Sequence, residues 1–133
     1  MIFVDSSFWV ALVAARDARH AEAMQLLGTV GAAQQLVTSS AVRGETWTFV
    51  RRRYGHAAAV ALLDRLERSP RLTVQFVTEA LEAEALRWLR RHDEREYSFV
   101  DATSFAVMRA LRVREALAFD GDFAAAGFVE LRA

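Results

Sequence analysis

Met1-Ile2-Phe3-Val4-Asp5-Ser6-Ser7 opens the chain with a short apolar run that ends in an acid and two hydroxyls. Residues 1–5 read as a buried strand, too short and too uniformly apolar for an amphipathic helix. Ser6 or Ser7 then caps a helix through Phe8-Trp9-Val10-Ala11-Leu12-Val13. The same alternation continues outward. A helix over about 21–27 stops at Gly28 or Gly31, and Gln35-Leu36-Val37-Thr38 reads as a strand. Ser39 or Ser40 caps a helix to about Arg53, Gly55 breaks it, and a further helix runs to about Arg68. Ser69-Pro70 marks a turn before the alternating strand Leu72-Thr73-Val74-Gln75-Phe76. Thr78 caps a helix to about Arg91, and Ser98 caps one from about Phe99 to Leu111. Ala116-Leu117-Ala118-Phe119 and Phe128-Val129-Glu130-Leu131 are the last two strands. Strands that alternate with helices argue for an α/β fold with a parallel sheet covered on both faces. Ligands of such sheets sit beyond the carboxyl ends of the strands, where strand order switches.

Composition narrows the class. The 133 residues fit a single domain over 1–133, and 53% hydrophobic residues suffice for a sizeable core. One Pro and six Gly leave no long flexible linker. The absence of Cys excludes disulfides, zinc–thiolate sites and thiol nucleophiles. The 17 basic residues, all Arg, balance 17 acids, which argues against binding nucleic acid by bulk charge alone. The N-terminus has no basic lead-in and Asp5 interrupts its apolar run, so it is not a signal peptide. No apolar run approaches the ~20 residues of a membrane span. A soluble, cytoplasmic protein is the expectation.

Four acids stand where acids are structurally awkward. Asp5 and Asp120 end strands, and Glu45 and Asp101 are expected to face inward on helices, beside apolar residues. Asp101, Phe105 and Met108 share a helical face, and so do Val42, Glu45 and Phe49. Each has a structural reading too: Asp5 as a cap, Asp120 in the turn Asp120-Gly121-Asp122, and Asp101 in a capping box with Ser98. If the four converge, repulsion demands a counter-charge. Hard divalent ions with oxygen ligands are the usual one, and paired metals suit phosphodiester hydrolysis. Asp122 is either a further ligand or a turn residue. Ser6 and Thr103 are placed to hydrogen-bond a carboxylate or a metal-bound water. Arg51-Arg52-Arg53 either complements a helix dipole or contacts RNA phosphates. His20, His56 and His92 have no metal-ligand spacing and read as surface residues.

Taken together these segments resemble a PIN domain of the VapC toxin family, over essentially the whole chain. The opening strand ending in Asp5-Ser6 is similar to the family's first motif. Glu45 matches its single Glu, Tyr97-Ser98-Phe99-Val100-Asp101-Ala102 its central acidic motif, and Asp120-Gly121-Asp122-Phe123 its closing element. Gly44 departs from the family, where a larger residue is commoner. The resemblance implies an α/β/α sandwich with strand order 3-2-1-4-5. It implies Mg²⁺ or Mn²⁺ held by Asp5, Glu45, Asp101 and Asp120, a metal-dependent endoribonuclease, a homodimer, and a cognate VapB-type antitoxin; in-line attack by water would leave a 5′-phosphate and a 3′-hydroxyl. Besides a catalytically idle interaction protein, which the retention of all four acids disfavours, two other readings remain open at this stage. One is an RNA-processing or flap-type PIN nuclease that is not a toxin. The other is a receiver-like signalling module, which uses a Lys that this chain lacks.

Overall fold

The computed structural model describes residues 1–133. Its strands are β1 (Ile2–Val4), β2 (Leu36–Ser39), β3 (Leu72–Gln75), β4 (Glu115–Leu117) and β5 (Val129–Glu130). Its helices are α1 (Ser6–Val13), α2 (His20–Thr29), α3 (Ser40–Tyr54), α4 (His56–Arg68), α5 (Glu79–Arg91), α6 (Phe99–Leu111) and α7 (Asp122–Ala125). The five strands form one parallel sheet in the order β3-β2-β1-β4-β5. The expected order and the α/β architecture are thus present, with helices flanking the sheet.

β1 is the central strand, which explains its composition. Ile2, Phe3 and Val4 are all buried because helices cover both faces of the sheet. The core joins these residues to Phe8, Leu12, Val37, Phe105, Met108, Leu117 and Phe123 in one cluster. Trp88 packs edge-on against Phe105 and stacks on His92, and Phe105 meets Phe123 at 5.0 Å. β2 is locked to β1 by the Thr38 hydroxyl, which donates to the Val4 carbonyl at 2.8 Å.

Local structure departs from the sequence reading at several places: β4 and β5 are shorter than read, ending at Leu117 and Glu130, and four further differences bear on the site and its surroundings. The cap of α1 is Asp5, one residue before the expected serines, because a carboxylate at the strand end accepts the free amide of Ser7. α3 turns Val42, Thr46 and Val50 inward at i, i+4, i+8, so Glu45 and Phe49 lie on its open side. The inward face expected for Val42, Glu45 and Phe49 is therefore corrected. Phe76 falls beyond the end of β3 and is exposed. The short α7 follows Gly121 and has too few residues for a periodic signal. The caps Ser39, Thr78 and Ser98 stand where expected, each accepting an amide three residues on.

Gly44 sits inside α3 with nothing within 4 Å of where a Cβ would stand. No packing requires glycine there, and its backbone freedom destabilises the helix. Gly44→Ala should therefore stabilise the fold by about 0.5–1 kcal/mol. That is a rise of about 2–4 °C in thermal midpoint. An unchanged or lower midpoint in calorimetry would refute the open-face placement.

Candidate metal centre

The site is built where the chain leaves β1 and β4. These adjacent strands continue into opposite halves of the fold, so a crevice opens between their carboxyl ends. Asp5 stands at the first of these ends and is 1% exposed. Its backbone amide donates to the Leu117 carbonyl at 3.0 Å. Its Oδ2 accepts the Ser7 amide at 3.2 Å and the Ser7 hydroxyl at 2.7 Å. Ser7 Oγ in turn accepts the Phe119 amide at 3.0 Å, tying the two strand exits together. With Asp5 as the cap, Ser6 is free, and its hydroxyl donates to Glu45 Oε2 at 2.8 Å.

α6 delivers the next acid. Ser98 and Asp101 form the capping box: Ser98 Oγ accepts the Asp101 amide at 2.9 Å, and Asp101 Oδ2 accepts the Ser98 amide at 3.0 Å. Asp101 is buried on the same face as Phe105 and Met108, as the spacing predicts. Thr103 is placed differently from its expectation. Its hydroxyl donates to the Val100 carbonyl at 2.8 Å, an ordinary bond within the helix, and not to a carboxylate.

The third contribution comes from the turn after β4. Gly121 has φ +83°, a left-handed value that side-chain-bearing residues rarely adopt. A Cβ there would also stand 3.3 Å from Arg95 Nη2. The turn is closed by Asp120 Oδ1, which accepts the Asp122 amide at 3.1 Å. Asp101, Asp120 and Asp122 each offer a carboxylate oxygen within 4.8 Å of the others. Asp122 therefore joins this group of three. Glu45 faces the group from α3 across an open cleft of about 420 Å³, lined also by Ser6, Asp17, Arg19, Phe49 and Asp120. Of the basic run, Arg52 and Arg53 line a neighbouring groove and Arg51 does not.

Two residues at the site escape sequence reasoning. Arg95 Nε donates to Asp122 Oδ1 at 2.9 Å and its Nη2 to the Asp120 carbonyl at 3.3 Å. The buried Glu130 side chain accepts the amides of Gly121 and Ala124 and so fixes the turn. Neither lies in a local pattern, since their partners are distant in sequence or in an unexpected helix.

Electrostatics make the group strained. Burial, then the charge of Asp120, push the Asp5 carboxyl up to about 7. Burial pushes Asp101 up to about 6, against the pull of the Ser98 amide. Asp120 is also raised, by burial of its carboxyl and by Asp122 and Glu130. The residue lies at the rim, but its carboxyl end turns into the cleft toward Asp5. An all-oxygen donor set short of positive charge fits a hard divalent cation. Arg95 supplies one positive charge, on the Asp122 side only.

The PIN domain family model matches residues 2–129. The chain is 57% identical to the 23S rRNA-specific endonuclease VapC20 of Mycobacterium tuberculosis, over 99% of this chain and 98% of that protein. The crystal structure of Mycobacterium tuberculosis VapC20, described as a sarcin–ricin loop cleaving toxin, superposes with a TM-score of 0.94. It shares 55% identity and covers all of both chains. FitAcB from Neisseria gonorrhoeae shares the fold at a TM-score of 0.68 and 17% identity, covering 98% of this chain and 96% of that one.

The raised carboxyls set a pH dependence. Their folded values, about 7 and about 6, lie above the ordinary carboxylate value near 4, so the folded metal-free protein holds more protons than the unfolded chain in between. That stability is present at low pH and is lost as pH rises from about 4 to about 7. Asp5→Asn should therefore raise the melting midpoint of chelator-treated protein at pH 8 and change it far less at pH 4.5. Mn²⁺ should raise the wild-type midpoint more at pH 8 than at pH 5.5, since binding displaces protons. A difference between variant and wild type that does not grow with pH would count against this crowding.

Proposed function

Since the chain belongs to the PIN-domain family, as a toxin endonuclease of the VapC type, we propose that it cuts the sarcin–ricin loop of 23S rRNA by metal-assisted hydrolysis. The observation that carries the chemistry is the convergence of Asp101, Asp120 and Asp122 within 4.8 Å beside the buried Asp5. The target follows from the similarity to VapC20 at 57% identity over nearly the full length of both proteins. The chain works as one PIN domain in the cytoplasm, as a homodimer restrained by a VapB-type antitoxin. No helix is long and apolar enough to cross a membrane.

Asp5, Asp101, Asp120 and Asp122 would hold Mg²⁺ or Mn²⁺, with Glu45 completing the donor set from across the cleft. When bound, such an ion acidifies the attacking water and offsets charge building on the phosphoryl oxygens. The protein's part is placement. Ser7 and the capping box of Ser98 fix the Asp5 and Asp101 carboxylates before substrate arrives. Ser6 holds the Glu45 carboxylate on the cleft side, where it orients the water for in-line attack. The new P–O bond forms as the bond to the 3′ oxygen breaks, leaving a 5′-phosphate and a 3′-hydroxyl. No side chain forms a covalent intermediate.

Asp101→Asn or Asp120→Asn should lower cleavage of a sarcin–ricin loop hairpin by about 100-fold or more while the protein stays folded. Asp122→Asn should be milder, because Arg95 already offsets part of its charge. End sequencing after incubation with ribosomal RNA, with and without Mg²⁺ or Mn²⁺, reads site and product chemistry together. Wild-type rates in Asp101→Asn would remove the carboxylate mechanism. Cuts spread evenly over 23S rRNA would remove the proposed target.

A further inference from the structure

Two clefts meet on the open side of α3. One holds Arg19, Asp120 and the Ser6 end of the site. The other, about 790 Å³, is lined by Ser40, Gly44, Thr48, Arg52, Arg53 and Val100. Glu45 and Phe49 line both, so they form the ridge between them. They are one helical turn apart and share a face. Phe49 is 44% exposed and stands apart from the core rings packed around Phe105. Core packing thus gives no reason for a phenyl ring at this position.

Cations flank the ridge. On the side of Asp120, the Arg19 guanidinium lies 5.3 Å above the Phe119 ring and is held by Glu22 at 2.7 Å. On the other side, Arg52 and Arg53 take no part in the ion pairs of the chain. Gly44 leaves the groove wall flat beside Glu45, with nothing within 4 Å of its Cβ position. The protein carries no net charge, so binding of a polyanion must come from local placement. Cation, open aromatic face, cation is the arrangement that follows a single nucleic-acid strand: phosphates meet the guanidiniums and a base stacks on the ring. Looped RNA presents such unstacked bases, whereas a paired helix does not.

We propose that Phe49 is a positioning residue for substrate. A base next to the scissile phosphate stacks on its ring, while Arg19 and Arg52 hold phosphates on either side of the ridge. This rests on the ribonuclease reading above and adds to it the path of the strand. The continuity of both clefts through Glu45 favours RNA as the occupant over a protein partner.

The test uses the full chain and a synthetic hairpin carrying the sarcin–ricin loop sequence. Phe49→Ala should lower kcat/KM by about 10-fold, the scale of one lost base–aromatic stack, chiefly through KM. Phe49→Trp should restore it. Melting midpoint and Mn²⁺ affinity should not change, which separates positioning from structure and from the metal centre. Arg52→Gln should weaken binding and flatten its salt dependence. Binding is also read by anisotropy of labelled hairpin on the Asp101→Asn background, where weaker binding on adding Phe49→Ala supports the stack without cleavage. If wild type fails to cut but its silenced form binds through Phe49, the cleavage reading falls and the strand path stands. If Phe49→Ala cuts and binds like wild type, the strand path is overturned and the ribonuclease reading stands. Loss of dimer or of a co-purifying protein, with RNA binding intact, would assign the ridge to protein contact and overturn it equally.

Discussion

Carboxylates that converge without enough positive charge repel one another, and the exits of β1 and β4 are organised around that repulsion. Asp5 is the extreme case, almost wholly buried with its carboxyl pushed up to about 7. The surroundings offset the charge piece by piece. Ser7 gives Asp5 an amide and a hydroxyl, the Ser98 amide goes to Asp101, and Arg95 goes to Asp122. None of these supplies a full charge to Asp5 or Asp120. A folded protein that keeps such a deficit bears a stability cost, which makes sense if a cation completes the group in use.

Topology explains why the acids meet at all. In a parallel sheet every strand points the same way, so residues just past strand ends gather on one edge. β1 and β4 are neighbours there, yet the chain reaches β4 only after building β2 and β3 on the other side. The first and last of the sheet-borne acids thus come together across more than a hundred residues. α6 then reaches the same edge with its N-terminus, bringing Asp101. The partial positive charge of a helix N-terminus also favours the carboxylate it holds.

The architecture was legible because its signals are local. A short apolar run ending in Asp5, a capping serine at 98 and alternating residues from Leu72 each declare an element within a few positions. Convergence of the acids was inferable only from their type and from the family pattern. What could not be read were the long-range partners. Ser7 bonds to Phe119 across 112 positions, and Arg95 reaches Asp122 across 27. Glu45 was misplaced for a different reason. From the buried Val42 the stripe could run on through Glu45 at i+3 or Thr46 at i+4, and tertiary packing chose Thr46. The preference of α3 for a small hydroxyl inside left Glu45 and Phe49 to the open side.

At three of these acids, structural and chemical roles compete in the sequence but do not compete in space. Asp5 caps α1, Asp101 closes a capping box, and Asp120 closes the turn before α7. A cap uses one carboxylate oxygen to accept a backbone amide, and the second oxygen is then held in a fixed direction. That is the geometry a ligand needs, reached without a rotamer search on binding. The amide also favours the ionised form, opposing the burial that disfavours it. Capping is therefore a means by which short side chains at strand and helix ends are aimed into one cleft while an amide offsets part of the cost of their charge.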